Sequence, residues 1–352
     1  MNYIIGPKMN KDGMFAGNKF PRDIINTCND LGFEPVYVHE GYSKKKLIFQ
    51  YFKDYMNLSH IKNDSIVIYI DQVTPKLSRK LVYKILAKKN VKIIPLIEDI
   101  DIIRYSRNFS LQEKKRELER LSLATCIISQ NHNMSKFLKN YGVEKPTVEM
   151  NVLDFLTDST IKDVMSHYSN DVICYGGNLS YKQSGFLTKL KYQDIGKLQY
   201  YVYGKGEVSN RLPHNVIYKG GFSAEESIEK LKGDWGLVWN GSSVNINDED
   251  NNAKYYNFVS PHKFSMYALC GMPVIVYSKS AMAQFVKENE CGILINSLSE
   301  IPQKIGSISK AQYTRYRNNI LRIAIHISKG DFTKKSVRKA EMLANINNDL
   351  KS

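Results

Sequence analysis

Ser260, Pro261, His262 and Lys263 stand together in front of an apolar segment. Serine is a favoured N-cap and proline suits the first helical position, so the sequence predicts a helix with His262 and Lys263 in its first turn. A helix N-terminus already carries partial positive charge, and cations there are unfavourable unless an anion binds. The pattern therefore indicates a phosphate site. The alternative is that Lys263 is a solvated lysine.

Glu98 and Asp99 close another apolar segment, residues 91–99, and Arg104 follows five residues later. A carboxylate at the end of a buried strand could act as a general base and take a proton from an attacking hydroxyl group. Two alternatives remain open. Either carboxylate could cap the next helix, or it could orient Arg104.

Strand-like apolar segments alternate with amphipathic segments in the first half of the chain, which is typical of a parallel sheet covered on both faces. The sequence predicts a doubly wound α/β domain over residues 1–155. The predicted strands are 2–7, 34–40, 65–71, 91–99 and 125–130, and the predicted helices are 20–32, 74–90 and 110–124.

The same alternation restarts after a polar connection, which predicts a second Rossmann-like domain over residues 156–330. With 352 residues, the chain is long enough for two cores. Two such domains in tandem create a cleft between the carboxyl ends of two sheets, where open α/β sheets bind ligands. The predicted strands are 171–177, 198–204, 215–221, 235–241, 272–277 and 291–295.

Charge and composition limit the classes of partner. The net charge of +15 attracts nucleic acid, anionic membrane or anionic substrate. No RNA-binding signature or long Lys/Arg tract is present, so we expect no nucleic-acid partner. Contact with the inner face of a membrane and an ordinary lysine-rich surface are equal alternatives. No apolar run approaches the roughly 20 residues that span a bilayer, and we expect a cytoplasmic protein.

Metal and redox chemistry have little support in the sequence. The five cysteines form no CxxC pair, and we expect them to be reduced and near the core. No HExxH spacing occurs. The sequence Asp248-Glu249-Asp250 lies in a polar stretch without strand context, so we interpret it as a loop and not as a metal site. We expect no resident metal or cofactor.

Residues 230–300 resemble the C-terminal signature of GT-B nucleotide-sugar glycosyltransferases. The sequences that carry the resemblance are "GDWGLVWNG" and "YYNFVSPHKFSMYALCGMPVIVYSKSAMAQFVKENECGILINSLSEI". More narrowly, they resemble the bacterial group that contains adhesin-modifying glucosyltransferases and β-1,6-galactofuranosyltransferases. The segment "IIPLIEDIDIIRY" is similar to that group's Ile-His-Asp-Ile segment. The resemblance implies a GT-B fold in which residues 331–352 form a helix that crosses back to the N-terminal domain.

The resemblance also implies roles for individual residues. Lys263 takes the place of the family's diphosphate-binding lysine, and Asp99 matches the family position of the base, whereas Glu98 replaces the usual histidine. Tyr181 and Lys182 compete for the place of a basic nucleotide contact. The expected nucleotide-sugar site comprises Lys263, His262, Asn178, Gly177, Lys182, Phe222 as a base-stacking ring, Tyr256 and Asn257. Phe222 could equally be a core residue that covers the sheet edge. Asn18 and Arg104 are expected to line the cleft or contact the acceptor.

The resulting expectation is an enzyme that moves a hexose from a UDP-sugar to a hydroxyl group of a glycan, glycoprotein or lipid-linked glycan. The hexose is glucose, N-acetylglucosamine or galactofuranose, and inverting and retaining routes are both open. One rival is a non-catalytic GT-B-fold subunit that binds carbohydrate or a partner, and another is a basic nucleic-acid-binding α/β protein. Self-association into a homo-oligomer also remains open.

Overall fold

The computed structural model describes residues 1–8, 19–39, 45–71, 76–104, 109–159, 161, 170–192, 196–246 and 251–349. These residues form two compact units. The first unit holds the described residues up to Met150 together with those from Gly330 onward, and the second holds residues 151–329. Residues 151–155, which the sequence analysis assigned to the first domain, therefore belong to the second unit.

The first unit contains a six-stranded parallel sheet with the order β2-β1-β3-β4-β5-β6. The central strands are buried on both faces, as β3 shows with six buried residues, whereas the edge strand β2 is partly exposed. The strands are β1 (Asn2–Pro7), β2 (Phe33–Val38), β3 (Ile66–Asp71), β4 (Lys92–Ile97), β5 (Ile127–Ser129) and β6 (Thr147–Glu149), and the helices are α1 (Lys19–Asp30), α2 (Leu47–Ser59), α3 (Lys76–Ala87), α4 (Asp101–Arg104), α5 (Leu111–Leu118) and α6 (His132–Asn140).

The second unit contains another six-stranded parallel sheet, with the order β12-β11-β10-β7-β8-β9. Its core is aromatic, with Tyr175, Tyr200, Trp235 and Trp239 fully buried. The strands are β7 (Val172–Asn178), β8 (Gln199–Lys205), β9 (Val216–Tyr218), β10 (Trp235–Val238), β11 (Val274–Tyr277) and β12 (Gly292–Ile295), and the helices are α7 (Tyr181–Ser184), α8 (Ser227–Lys230), α9 (Asn251–Tyr255), α10 (His262–Leu269), α11 (Ala283–Glu288), α12 (Ile301–Gly306) and α13 (Lys310–Ser328).

Helix α14 (Asp331–Asp349) returns to the first unit after a turn at Gly330, whose φ of +73° favours glycine. It packs against α1, β5 and β6. Side chains fix its position: the Asn2 amide donates to Glu341 Oε1 at 3.2 Å, and the Cys126 thiol lies 3.4 Å from the Ala340 carbonyl oxygen.

The strand order identifies where each sheet can bind a ligand. In the second sheet the connections run outward from β7 in one direction and from β10 in the other, so the topological switch point lies between β7 and β10. In the first sheet it lies between β1 and β3. Parallel α/β sheets bind ligands beyond the carboxyl ends of strands at such points. The residues that follow β7 and β10 are therefore candidates for a ligand site.

Short 3₁₀ segments connect several of these elements, at Glu119–Leu123, Gly185–Tyr192, Glu207–Arg211 and Leu298–Glu300. All five cysteines are free and buried, as predicted. Across the described ranges, no helix combines the length and the apolar character needed to cross a bilayer.

Candidate nucleotide-sugar site

Helix α10 begins one residue later than the sequence predicted. Pro261, not Ser260, is the N-cap, in an extended conformation, and the helix starts at His262. The prediction that Ser260 caps the helix is wrong because its hydroxyl group donates to the Asn151 carbonyl oxygen at 2.8 Å. The hydroxyl group of Ser265 donates to the Leu153 carbonyl oxygen. The two serines thus tie α10 to the start of the second unit.

Lys263 lies at the switch point of the second sheet. Its Nζ donates to the Trp239 carbonyl oxygen at 3.3 Å, just beyond the end of β10, and lies 3.8 Å from the centroid of the Tyr175 ring on β7. Among the described residues, no carboxylate forms an ion pair with it. Burial lowers the pKa of Lys263 to about 7, because desolvation penalises the ammonium. An anion arriving here would supply the missing counter-charge.

Tyr267, one helical turn after Lys263, joins the two strands of the switch point. Its hydroxyl group accepts a hydrogen bond from the Gly176 N–H at 2.9 Å and donates to the Leu237 carbonyl oxygen at 3.2 Å. The Tyr267 ring occupies the space over Gly236, where an added Cβ would lie 2.3 Å from the ring. These contacts hold α10 in register with β7 and β10, and therefore position Lys263.

Gly177 and Phe222 also lie at this edge. Gly177 has φ +154°, and a Cβ there would lie 2.9 Å from Lys263 Cε. A Cβ on Gly176 would lie 3.3 Å from Phe222 Cζ, and the Phe222 ring packs edge-on against Tyr203. The glycines thus make room for the side chains of Lys263 and Phe222 against the backbone of β7.

The remaining predicted residues of the second unit have different surroundings. The Asn178 side chain accepts a hydrogen bond from the Ser180 N–H at 2.8 Å and is exposed. Lys182 is exposed on α7. The Tyr256 carbonyl oxygen accepts from the Ala281 N–H at 2.9 Å. Burial raises the pKa of Tyr175, and the electrostatic interaction with the nearby Tyr256 raises it further.

His262 and Asn257 flank the start of α10. The His262 ring packs edge-on against Phe155, with centroids 6.3 Å apart. Asn257 follows helix α9, and its N–H donates to the Lys254 carbonyl oxygen at 2.9 Å. Helix α9 begins directly after Asp248, Glu249 and Asp250, which lie outside the described residues, so the interpretation of those three residues as a loop stays a prediction.

Glu98, Asp99 and Arg104 belong to the first unit. Arg104 Nη1 lies 2.7 Å from Asp99 Oδ2, and Asp99 Oδ1 accepts from the Ile100 N–H at 2.8 Å. Burial raises the pKa of Asp99 to about 6, against the opposing effect of Arg104. The Glu98 backbone is anchored by a hydrogen bond from the Gln130 side chain to its carbonyl oxygen. Asn18 lies outside the described residues.

The structure thus brings together Lys263, Gly177 and Phe222 in the second unit, and Asp99 and Arg104 in the first. Tyr175 and Tyr267, which set the electrostatics and position of Lys263, were not predicted from the sequence. Two features of the sequence could have indicated Tyr267. It follows Lys263 by four residues in a predicted helix, and the glycine at position 236 leaves room for its ring. Within the described ranges, no three His, Cys, Asp or Glu side chains form a group that could hold a metal ion.

Comparison with known proteins agrees with this geometry. The sequence matches "Glucosyltransferase 3-like, C-terminal domain" over residues 173–340 and "Glucosyltransferase 3-like, N-terminal domain" over residues 2–152. Similar proteins include the β-1,6-galactofuranosyltransferase WbbI of Escherichia coli, 27% identical over 74% of this chain and 73% of the relative. Glucosyltransferase 3 of Streptococcus parasanguinis is 24% identical over the same shares of the two chains.

Solved structures with the same fold include HepE of Anabaena in complex with UDP, at 13% identity and a TM-score of 0.62. That match covers 97% of this chain and 100% of the other. The lipopolysaccharide outer core galactosyltransferase WaaB matches with a TM-score of 0.61 at 14% identity, covering 97% and 98%. The two Rossmann-like units therefore have the GT-B fold, and the chain belongs to the glucosyltransferase 3-like family of glycosyltransferases.

Proposed function

We propose that this glycosyltransferase moves a hexose from a UDP-sugar to a hydroxyl group of a glycan acceptor. The observation that carries the proposal is the ammonium of Lys263, which lies at the switch point of the second sheet without a carboxylate partner among the described residues. A UDP-sugar presents two phosphates, and the leaving UDP gains charge as the glycosidic bond breaks. A preorganised cation at that position stabilises the developing charge.

The surroundings of Lys263 suit a nucleoside diphosphate. Gly176 and Gly177 leave room at the end of β7 for the Phe222 ring and the Lys263 side chain, so an aromatic surface and an ammonium meet at the same strand end. The N-terminal end of α10 adds the partial positive charge of its peptide groups. Phe222, packed beside Gly176, offers a flat apolar surface for a uracil ring. The structures of HepE with UDP and with UDP-glucose support a donor of this class for the fold.

We assign to Asp99 the role of the general base that deprotonates the acceptor hydroxyl group. Its carboxylate is held by Arg104 and the Ile100 N–H, and its pKa of about 6 is close to the value that suits a general base at neutral pH. In an inverting transfer, the Asp99 carboxylate takes the proton of the acceptor hydroxyl group as that oxygen attacks the anomeric carbon. The bond from the anomeric carbon to the UDP oxygen breaks, and the electron pair leaves with UDP.

We further propose that transfer needs no resident metal ion, because Lys263 and the N-terminal end of α10 neutralise the diphosphate. Activity should persist in excess EDTA. Loss of activity in EDTA, with recovery on addition of Mn²⁺ or Mg²⁺, would refute this part of the proposal.

The relatives define the donors to test. WbbI is a galactofuranosyltransferase and the streptococcal relatives are glucosyltransferases. Purified protein should be assayed for UDP release from UDP-galactofuranose, UDP-glucose and UDP-N-acetylglucosamine, with a glycosylated peptide or a lipid-linked glycan as acceptor. We expect acceptor-dependent release from one of these donors. UDP binding without turnover of any donor would favour a non-catalytic subunit, and failure to bind UDP would exclude the proposed donor site.

A further inference from the structure

Helix α2 exposes apolar side chains instead of burying them. Ile48, Phe49 and Phe52 are 84%, 68% and 60% exposed, and Tyr55 and Met56 are also exposed. At 100° per residue, these five side chains span an arc of roughly 120° on one side of the helix. Surface helices of globular proteins normally point such a stripe toward the core. We call these five residues the α2 apolar face.

The orientation of α2 is set by contacts on its other side. Asp54 and Leu58 are buried, and the Asp54 carboxylate lies 2.6 Å from His39 Nδ1 and accepts from the His39 N–H at 3.1 Å. The Asn57 amide donates to the Tyr37 carbonyl oxygen at 2.9 Å. These contacts attach α2 to β2 and leave the α2 apolar face toward solvent.

Exposed lysines lie on α2 and on the neighbouring helix α3. Lys45, Lys46 and Lys53 are exposed on α2 or just before it. The connections β2 to β3 and β3 to β4 run in the same direction across the sheet, which places α2 and α3 on one side of it, and the two helices pack together. Along α3 and just after it, Lys80, Lys84 and Lys88 form an exposed row at intervals of four residues.

Acidic residues are almost absent from these two helices. Asp54 is the one acidic residue in the sequences Leu47–Ser59 and Lys76–Ala87, and it is buried against His39. A second copy of this chain docked on the same surface would bring like charges together, which disfavours self-association. An apolar face with aromatic side chains, bordered by lysines, instead matches the interface of an anionic bilayer.

We propose that α2 and the lysine row of α3 dock the protein on an anionic phospholipid surface. The α2 apolar face enters the boundary between headgroups and acyl chains, and the lysines contact the headgroup phosphates. This proposal does not depend on the donor site, because both helices belong to the first unit and Lys263 belongs to the second.

The test is flotation of the full-length protein with vesicles of phosphatidylcholine alone or with about one third phosphatidylglycerol. We expect the anionic vesicles to bind at least tenfold more protein, and binding to fall as salt rises. The double variant Phe49→Ser, Phe52→Ser should lose at least tenfold in binding. The double variant Lys80→Gln, Lys84→Gln should lose a factor of roughly five per lysine.

The matched control is Met342→Ser with Ile346→Ser on α14, two apolar residues of the same unit that are 65% and 53% exposed. This control should bind vesicles as the unmodified protein does, and all variants should keep their affinity for UDP. Equal binding to neutral and anionic vesicles, or full binding by the phenylalanine variant, would overturn the proposal. So would a dimer that dissociates on Phe49→Ser, Phe52→Ser, since the α2 apolar face would then contact a second copy.

Discussion

The ammonium of Lys263 lies 3.8 Å from the centroid of the Tyr175 ring, with the Trp239 carbonyl oxygen on its other side at 3.3 Å. Neither partner carries a full negative charge. The ring and the carbonyl dipole compensate only part of the desolvation, so the pKa of Lys263 falls to about 7. The site is therefore short of negative charge, which a bound anion would supply.

The affinity for UDP should depend on pH through Lys263. In the free protein its pKa is about 7, and a bound diphosphate favours the ammonium and raises that pKa. Affinity should therefore be full below pH 7 and fall by up to about tenfold per pH unit above it. Titration calorimetry at pH 8 in buffers of different ionisation enthalpy should show uptake of about one proton. A flat affinity from pH 7 to pH 9 would contradict the prediction.

Gly177→Ala should displace Lys263. The new Cβ would lie 2.9 Å from Lys263 Cε, at a φ of +154° that L residues rarely adopt. We expect weaker UDP binding together with a loss of about 1–3 kcal/mol in the free energy of unfolding. Gly142→Ala, with φ +85° and no atom within 4 Å of the new Cβ, is the control for backbone strain alone. Gly142→Ala should lose stability but keep its UDP affinity. Equal UDP affinities of the two variants would argue against a displacement of Lys263 by the new Cβ at position 177.

Tyr267→Phe should affect both stability and the donor site. Removal of the hydroxyl group leaves the buried Gly176 N–H without its acceptor, at a cost of about 1–3 kcal/mol in urea denaturation. UDP affinity should fall as well, because β7 and α10 lose their shared contact. Tyr313→Phe removes a comparable buried hydrogen bond, to the Asp234 carbonyl oxygen, away from the switch point. That variant should lose stability alone.

Asp99→Asn should slow transfer by about 100-fold or more and leave UDP affinity unchanged, because the carboxylate acts on the acceptor. In the unmodified protein, kcat should fall as pH drops through about 6, where Asp99 becomes protonated and cannot accept a proton. Glu98→Gln should have the smaller effect. The reverse order of effects would move the base to Glu98, and no effect of either variant would favour a retaining route.

The regular parts of the fold were predictable because each strand of the second sheet is a short apolar run bounded by turn residues. All six observed strands of that sheet overlap the predicted segments. Strand β6 was missed because Val148 is the one apolar residue among its three residues, so the strand forms no apolar run. Helix α2 was missed because its apolar residues face solvent and do not mark a buried stripe.

The site was only partly predictable. Lys263 was identifiable by its charge and by its place beside a proline at the start of a helix. The role of Tyr267 depends on the Gly176 N–H and the Leu237 carbonyl oxygen, which are 91 and 30 residues away in sequence. The Ser260 prediction failed for the same reason, because its partner, the Asn151 carbonyl oxygen, is brought near by tertiary structure.

The affinity of Lys263→Met for UDP, measured by calorimetry at pH 7 beside Lys287→Met, tests the central claim most directly. Methionine keeps the apolar stem and removes the charge, and Lys287 is an exposed lysine on α11. We predict that Lys263→Met weakens UDP binding by about 1.5–3 kcal/mol, the worth of one charge-assisted hydrogen bond, while Lys287→Met matches the unmodified protein. An unchanged UDP affinity in Lys263→Met would contradict the assignment of Lys263 to the diphosphate.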